Sequence, residues 1–396
     1  MAQSLTKLTG LLSEAGRVFN QTDLDSLILF VTNACNLSCG FCCYADNLNQ
    51  TRDIPFDDLI TLSRTMPRFR ALLLSGGEPF VRPRLDEIML AFARHNRIRS
   101  IYIPTNGWFL ERTANMCRGF LEQEHDVMLT LSFSVDGLAD THDRIRANGK
   151  RKVFAALCKT IEALSPWRER YPNLRLRVNS VVTPDNIGEM RATVDYFHHH
   201  YSLDEHALEI VRDLTWMGAH HDSPERQSMA DRYLELVDYA YQTYFADRSE
   251  QRRSVFGNIP ESIANLIIYS HSRAVAEVKH DRMKGKLWPF PCTAGRKILV
   301  VSGSGSLSAC EHRGEVVDLR QFGFDYQAAM ATGLMDKERA QIAKDRCDCI
   351  HGCFVGNSLQ YSPRAIVTKM LPKAIQRMTG AAPADPVAPP APVASR

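Results

Sequence analysis

Short β-rich segments alternate with helical segments from residue 26 onward, and this alternation limits the possible folds more than any other feature of the sequence. Runs of apolar and β-branched residues predict strands, whereas apolar residues three and four positions apart predict helices. The predicted strands span 26–33, 71–79, 100–107, 127–137 and 174–182, and the predicted helices span 55–66, 84–96, 112–123 and 152–164. Strands separated by helices of this length indicate βαβ units, and therefore a parallel sheet that is open or closed into a barrel.

Cysteine, glycine and polar residues directly follow the first four of these strands. Cys35 follows the first strand, and Gly76, Asn106 and Asp136 follow the next three. Ligands of parallel α/β sheets bind at the carboxyl ends of the strands. The sequence therefore predicts that these four strand ends face one site.

The composition of the 396-residue chain is that of a globular protein, with 44% hydrophobic and 23% charged residues. A formal net charge of +3 gives no concentrated basic footprint, so we expect no nucleic-acid partner. Because the sequence shows neither a signal peptide nor an apolar span of transmembrane length, we expect a cytoplasmic protein. In that reducing compartment its 11 cysteines favour metal binding or catalysis over disulfides.

Changes of pattern divide the chain into six predicted segments. They are an N-terminal amphipathic helix (1–24) with leucines at 5, 8, 11 and 12, an α/β core (25–215), a helical connector (216–284), a cysteine-rich domain (285–358), a basic amphipathic segment (359–379) and a disordered Pro/Ala-rich tail (380–396). The basic segment has the composition of an interfacial helix. Pro372 interrupts it, so no membrane contact is expected.

Three cysteines, Cys35, Cys39 and Cys42, lie within eight positions after the first strand, and Cys43 follows at once. Structural zinc nearly always has four ligands, commonly in two pairs, so a lone trio is a poor zinc site. A 4Fe-4S cluster held by three thiolates instead leaves one iron open to a substrate or cofactor. The trio therefore favours an iron–sulfur cluster, with Cys43 as a small packing residue.

The spacing Cys35-x3-Cys39-x2-Cys42, with the aromatic Phe41 before the third cysteine, resembles the signature of the radical S-adenosylmethionine (SAM) enzymes. The resemblance implies that the open iron chelates the amino and carboxylate groups of SAM. It also implies that an electron from the cluster cleaves SAM to methionine and a 5'-deoxyadenosyl radical, which takes a hydrogen atom from the substrate. Phe41 would lie near the adenine.

Segments at the other strand ends resemble the SAM-binding segments of the same superfamily. The resemblance implies that Gly76 and Gly77 approach the amino end of SAM, where a Cβ would keep the backbone away from the ligand. It places Asn179 at the end of the sixth strand, and either Arg144 or Arg146 at the carboxylate of SAM. The residues predicted to bind SAM are Phe41, Gly76, Gly77, Glu78, Pro79, Thr105, Asn106, Ser134, Asp136, Arg144 and Asn179.

A second group of cysteines lies in the cysteine-rich domain. Between Cys292 and Cys310 the segment ILVVSGSGSLSAC predicts a hairpin, which would bring both thiolates to one end. With Cys347, Cys349 and Cys353, the pattern resembles the SPASM and twitch regions of radical SAM enzymes, although it is shorter than a full SPASM region. The resemblance implies one auxiliary 4Fe-4S cluster, held by Cys292, Cys310, Cys353 and either Cys347 or Cys349, with structural zinc as the alternative.

The resemblance implies an α/β fold, a partial open (β/α)6 TIM-like barrel with a helical connector and a small C-terminal auxiliary iron–sulfur domain. It implies a radical SAM oxidoreductase or maturase that depends on a reductant such as flavodoxin or ferredoxin. The short cluster region and the short segment before the first strand favour oxidation or epimerisation of a small metabolite such as a sugar, cyclitol or amino acid. Crosslinking or oxidation of a ribosomal peptide is the alternative, and a non-catalytic cluster scaffold is a remote one.

Overall fold

The computed structural model describes residues 24–50, 53–147, 149–212, 223–245 and 261–379. The N-terminal helix and the disordered tail that the sequence predicts lie outside these residues, apart from Leu24. Within the described ranges, no helix is long and apolar enough to cross a membrane.

Six parallel strands lie side by side in the order in which they occur in the chain. They are β1 (Ser26–Thr32), β2 (Ala71–Gly76), β3 (Ser100–Thr105), β4 (Met128–Ser134), β5 (Leu174–Val182) and β6 (Glu205–Ile210). The predicted, mostly parallel α/β fold is therefore confirmed. Asn179 lies within β5, so the strand that the sequence analysis counted as the sixth is the fifth.

Helices connect these strands. They are α1 (Phe56–Thr65), α2 (Leu85–Asn96), α3 (Leu110–Leu121), α4 (Ala139–Ala147), α5 (Val153–Leu164), α6 (Trp167–Arg170) and α7 (Met190–His200). Buried residues of α5 such as Leu157 and Ile161 recur at helical spacing and join the same core as the strands. Cys117 of α3 and Cys158 of α5 are buried in this core.

The two faces of the sheet differ in burial. In β5, Leu176 and Val178 are buried, whereas Arg177 and Asn179 are half-buried. Successive side chains of a strand point to opposite faces of the sheet. One side of β5 therefore packs into the core, and the other carries half-buried polar side chains.

The cysteine-rich region continues the same sheet. β7 (Ile298–Val301) pairs in parallel with β1, and β8 (Ser306–Ser308) and β9 (Val317–Asp318) follow in antiparallel order. The predicted hairpin is present as β7 and β8. The strand that leads to the first cysteine group thus lies between β2 and β7.

Further helices surround this part of the chain. They are α8 (Pro224–Phe245) and α9 (Glu261–Met283) in the predicted connector, then α10 (Tyr326–Met330), α11 (Leu334–Asp345) and α12 (Gly352–Gln360), followed by the helical residues 363–379, which we call the C-terminal helix. Buried Asp25 joins the start of β1 to the end of α12, because it accepts hydrogen bonds from Arg70 (2.8 Å), Asn357 (3.1 Å) and Tyr361 (2.5 Å). Burial disfavours the charge of Asp25, but Arg70, Tyr361 and Ser26 hold its pKa below the ordinary value.

The end of β2 approaches the loop after β1 too closely for a side chain. A Cβ on Gly77 would lie 2.1 Å from the carbonyl oxygen of Ala34, and one on Gly76 would lie 2.2 Å from that of Thr32. The Gly77 amide donates to the Thr32 carbonyl, and the Glu78 amide donates to the Ala34 carbonyl, both at 2.9 Å. Close contact with a neighbouring backbone thus explains these two glycines in the structure, and their expected approach to SAM stays a prediction.

We expect Gly77→Ala to lower the free energy of unfolding by about 1–3 kcal/mol, because the added Cβ collides with backbone atoms that must shift. Gly40→Ala is the matched control, because it lies in the adjacent loop and its Cβ would meet nothing within 4 Å. Urea denaturation measures both variants. Equal unfolding free energies for the two would contradict a rigid contact at Gly77.

Candidate active site

The loop after β1 (residues 33–44, the cysteine loop) is held in place by hydrogen bonds. The Cys35 amide donates to Oδ1 of Asn49 at 3.0 Å, and Nδ2 of Asn49 donates to the Cys35 carbonyl at 3.2 Å. The amide of Asn33 donates to the Asp53 carboxylate at 2.7 Å. One anchored loop therefore presents three cysteines at the carboxyl end of β1.

The thiols of Cys35, Cys39 and Cys42 are half-buried and interact electrostatically with one another. Burial, with the neighbouring acidic groups, raises the pKa of Cys35 to about 11, and burial also raises the pKa values of the other two thiols. Within the described residues, no three His, Cys, Asp or Glu side chains converge closely enough to hold a single metal ion. Three adjacent thiolates need a compensating cation, and thiolate is the ligand that iron–sulfur clusters use. The chemistry of this donor set therefore fits a cluster.

Arg146 of α4 lies beside the cysteine loop. Its Nη1 is 3.8 Å from Sγ of Cys39, and its guanidinium carbon is 5.8 Å from the centre of the Phe41 ring. Its Nε donates to the buried carboxylate of Asp136 at 2.6 Å. Burial opposes the charge of Arg146, but Asp136 and Cys39 hold its pKa above the ordinary range. A fixed positive charge therefore faces the cysteine group.

Arg144, one of the two arginines considered for the carboxylate of SAM, lies on the exposed side of α4. The same helix buries His142, Ile145 and Arg146. Residues two apart on a helix do not face the same way, so only one of the two arginines can point toward the cysteines. Arg146 is therefore the arginine that lies beside the cysteines, and contact of either arginine with SAM stays a prediction.

Glu78 joins the end of β2 to the end of β3. Its carboxylate accepts hydrogen bonds from the Thr105 hydroxyl (2.9 Å), the Asn106 amide (2.8 Å) and the Phe80 amide (3.2 Å). Burial raises its pKa to about 7 against these hydrogen bonds, which favour the charged form. Pro79 follows it at the start of a buried 3-10 turn. These contacts of Glu78 therefore hold the ends of β2 and β3 together.

Asn106 ties β3 back to the cysteine loop. Its Nδ2 donates to Oδ1 of Asn36 at 2.9 Å, and its Oδ1 accepts from the Trp108 amide at 3.0 Å. Ser134 and Asn179 lie opposite each other in the register of β4 and β5, and both are half-buried. The structure thus connects Asn106 directly to the cysteine loop, whereas Ser134 and Asn179 lie on the next two strands.

The C-terminal cysteines form a second group. Cys292, Cys310, Cys347 and Cys349 interact electrostatically with one another. Burial raises the pKa values of Cys310 and Cys349 to about 12. The donor chemistry again fits an iron–sulfur cluster.

Cys353 has a different environment. Burial raises its pKa to about 12, and the charged groups that act on it are Glu311, Arg212, Glu209 and Lys279. The expected ligand set of Cys292, Cys310, Cys353 and either Cys347 or Cys349 stays a prediction.

A set of contacts that the sequence analysis missed connects the two cysteine groups, and we call Cys43, Arg212, Glu311 and His351 the bridging network. Nη1 of Arg212 lies 3.3 Å from Sγ of Cys43 and 2.5 Å from the Glu311 carboxylate, which lies 3.0 Å from Nε2 of His351. Cys43 is exposed, so the expected packing role is corrected to a contact with Arg212. Glu311 and His351 lie close in the sequence to cysteines that are candidate cluster ligands, so the sequence could have suggested them. No signal in the sequence points to Arg212.

Further ion pairs lie on the polar face of the sheet. Arg177 of β5 pairs with Glu205 of β6 at 3.2 Å, and Lys279 of α9 pairs with Glu209 of β6. Lys279 is almost fully buried, and although burial opposes its charge, Glu209 holds its pKa above the ordinary range. With Tyr241, these four side chains contribute to the lining of a cavity of about 160 Å³.

Part of the chain is similar to known proteins. Residues 29–197 match the family model of the Radical SAM superfamily. GTP 3',8-cyclase of Xanthomonas campestris is 29% identical over 183 residues, which cover 44% of this chain and 51% of the relative. GTP 3',8-cyclase of Helicobacter pylori is 23% identical over 261 residues, which cover 64% of this chain and 75% of the relative. The chain thus spans about half the length of the first relative.

Solved structures give a likeness of fold. The structure of native anSMEcpe with bound AdoMet and Cp18Cys peptide aligns with a TM-score of 0.56 at 14% identity, covering 90% of this chain and 98% of that chain. A histidine-tagged form of anSMEcpe with bound AdoMet aligns with a TM-score of 0.55 at 15% identity, with the same coverage. At such identities the likeness concerns the fold alone.

Asp136→Asn should lower the free energy of unfolding of the metal-free protein by about 3–5 kcal/mol, because Arg146 would keep a buried charge without its partner. Arg144→Ala, on the exposed side of the same helix, should change it by less than about 0.5 kcal/mol. Urea denaturation measures both variants. A loss of unfolding free energy in Arg144→Ala as large as that in Asp136→Asn would contradict the exposed position of Arg144.

Glu78 should make the folded state less stable as the pH rises from about 4.5 to about 7. Its pKa of about 7 in the folded protein exceeds the ordinary value of 4.5, so the folded state binds more protons in that window and loses this stabilisation as the pH rises. The shift corresponds to about 3 kcal/mol. The difference in urea midpoint between wild type and Glu78→Gln should therefore change with pH, whereas exposed Glu111→Gln should follow the wild type throughout. A difference in urea midpoint between wild type and Glu78→Gln that stays the same at every pH would contradict the raised pKa of Glu78.

Proposed function

Since residues 29–197 match the family model of the Radical SAM superfamily, we propose that this chain is an enzyme that cleaves SAM reductively at a 4Fe-4S cluster held by Cys35, Cys39 and Cys42. The observation that carries the proposal is the cysteine loop itself, in which one anchored segment presents three interacting thiols beside a buried arginine. When bound, the cluster supplies the electron for SAM cleavage, and the resulting radical removes a hydrogen atom from the substrate.

The residues around the loop suit this chemistry. Arg146 offsets the negative charge of thiolate ligands from a position 3.8 Å from Cys39, and Asp136 fixes its orientation through their ion pair. A buried cation beside an anionic centre is favourable because the local dielectric constant is low. The strand ends that carry Gly76, Thr105 and Ser134 are those we assign to SAM.

For the outcome, we favour oxidation or epimerisation of a small polar metabolite such as a sugar, cyclitol or amino acid. Four cations near the two cysteine groups and on the polar face each pair with a carboxylate: Arg146 with Asp136, Arg177 with Glu205, Arg212 with Glu311 and Lys279 with Glu209. Neutralised pairs offer both donors and acceptors to a polar substrate. They suit a triphosphate poorly, because strong phosphate sites use arginine and lysine side chains that are free to pair with the phosphate. This disfavours GTP, which the named relatives use.

The second candidate is modification of a peptide. Its support is the fold likeness to anSMEcpe, whose structure contains a peptide. For either substrate, we assign one auxiliary 4Fe-4S cluster to the C-terminal cysteines, with an electron carrier such as flavodoxin or ferredoxin as partner and the cytoplasm as location. A cluster scaffold without SAM cleavage is the outcome that would refute both candidates.

Anaerobic reconstitution tests the proposal. We expect about eight irons per chain and dithionite-dependent formation of 5'-deoxyadenosine in the wild type, with loss of about four irons and of all product in Cys35→Ala. Cys158→Ala, which removes a core thiol far along the chain from both groups, is the control and should keep both properties. Zinc in place of iron, or product that persists in Cys35→Ala, would refute the assignment.

A further inference from the structure

A cavity of about 160 Å³ lies between β6 and the helices α8 and α9. Glu205, Ala207 and Glu209 line it from β6, where these half-buried residues alternate with buried ones. Alternate residues of a strand point to the same side, so the two carboxylates and the methyl group of Ala207 form one wall. The small side chain between the two acidic ones leaves room for a ligand against this wall.

The lining of the cavity is charged but neutral overall. Among the described residues around the cavity, the charged side chains form two ion pairs, Arg177 with Glu205 at 3.2 Å and Lys279 with Glu209. Burial lowers the pKa of both histidines in the lining, which keeps them neutral. Replacement of a buried ion pair by apolar side chains is often neutral or stabilising. Two such pairs around a space are therefore better explained by a polar ligand than by a need for stability.

Both ion pairs keep groups that a ligand can use. Nε of Arg177 is buried and has no hydrogen-bond partner, which costs free energy until a ligand or a water molecule accepts from it. Lys279 donates to Oε2 of Glu209, so Oε1 of this half-buried carboxylate can accept from a ligand. Burial opposes the charge of Glu209, but Lys279 holds its pKa below the ordinary value. The lining thus offers a cationic donor to a carboxylate and an ionised acceptor to an ammonium group.

The charges of the lining lie close enough together to act on one small ligand. Arg177 interacts electrostatically with Glu209 as well as with Glu205. A lining with separate positive and negative charges is complementary to a ligand that carries one of each. A cavity of about 150 Å³ holds one benzene molecule, so this cavity holds a small amino acid but is too small for a hexose or a cyclitol.

We propose that this cavity binds a small α-amino acid as a zwitterion, with the carboxylate of the ligand on Arg177 and its ammonium group on Glu209. The ligand carboxylate accepts the hydrogen bond that Nε of Arg177 leaves unused. The ammonium group donates to Oε1 of Glu209, and the α-carbon lies over Ala207.

The cavity adjoins two parts of the candidate active site. Ala207 pairs in register with Asn179, which is predicted to bind SAM. Gly352 borders the cavity at the start of α12, and the candidate cluster ligand Cys353 follows it. A ligand in the cavity therefore lies beside a strand assigned to SAM and beside the C-terminal cysteines. That this ligand is the substrate of the enzyme rests on the SAM cleavage proposed above.

Isothermal titration calorimetry with L-alanine on the full-length, cluster-loaded protein tests the cavity. We expect saturable binding of one L-alanine per chain. L-Lactate, in which a hydroxyl replaces the ammonium group, and ethylamine, which lacks the carboxylate, should each bind at least about tenfold more weakly, because each loses a charge-assisted hydrogen bond. myo-Inositol should not bind, because it is too large. Absence of L-alanine binding, equal affinity for L-lactate, or binding of myo-inositol would overturn the proposal.

Two variants locate the binding site. Ala207→Val adds two methyl groups to the cavity wall without changing a charge and should weaken L-alanine binding at least about tenfold. Ala71→Val is the matched control and should bind as the wild type does, because Ala71 is a half-buried strand residue outside the cavity lining. Lys279→Met/Glu209→Gln removes a whole ion pair, so no buried charge is left unpaired, and it should also weaken binding at least about tenfold. Unchanged binding in either cavity variant would place the ligand elsewhere and overturn the proposal.

Failure of this proposal and failure of the proposed function give different results. Formation of 5'-deoxyadenosine without binding of L-alanine would overturn the cavity assignment and leave SAM cleavage supported. Binding of L-alanine by a protein that forms no 5'-deoxyadenosine would support the cavity and refute its link to SAM cleavage.

Discussion

The backbone contact between the end of β2 and the cysteine loop holds the candidate site together. Two amide hydrogen bonds join Gly77 and Glu78 to the carbonyl groups of Thr32 and Ala34. The carboxylate of Glu78 then reaches Thr105 and Asn106 at the end of β3, and the Asn106 side chain returns to the cysteine loop through Asn36. Loop, β2 and β3 thus form a closed ring of hydrogen bonds, so none of the three strand ends can move without the other two.

Two arginine–carboxylate pairs lie against the cysteine loop. Arg146 lies against Cys39 and is balanced by Asp136, and Arg212 lies against Cys43 and is balanced by Glu311. Each guanidinium therefore has a thiol on one side and a carboxylate on the other. The carboxylate fixes the orientation of the guanidinium, and the ion pair offsets the conformational entropy that is lost when the arginine is held in one rotamer. The cysteine loop consequently has two positive charges at defined positions.

Much of the fold could be predicted because its signals are local. The strand bounds and the position of the cysteine loop follow from periodicity and from the rule that ligands bind at carboxyl strand ends, and both depend on neighbouring residues only. The choice between Arg144 and Arg146 depended on which side of α4 faces the core. The sequence alone does not define that side for two positions so close together. The glycines at the end of β2 were recognised, but the close approach of the Ala34 carbonyl could not be predicted, because it depends on how two strands meet. Arg212 was missed because its partners, Cys43 and Glu311, are far away in the sequence and ordinary in type.

The pairing of β7 with β1 has a consequence for synthesis of the protein. Ser26 pairs with Ile298, and about 270 residues of chain separate them. At ~5–20 residues per second, the ribosome needs roughly 15–50 s to supply the second partner of β1 after making the strand itself. During this time the strand that leads into the cysteine loop has one open edge, and open edges add strands from other chains. The nascent protein is therefore prone to aggregate through this open edge beside the cysteine loop until the C-terminal part of the sheet is made.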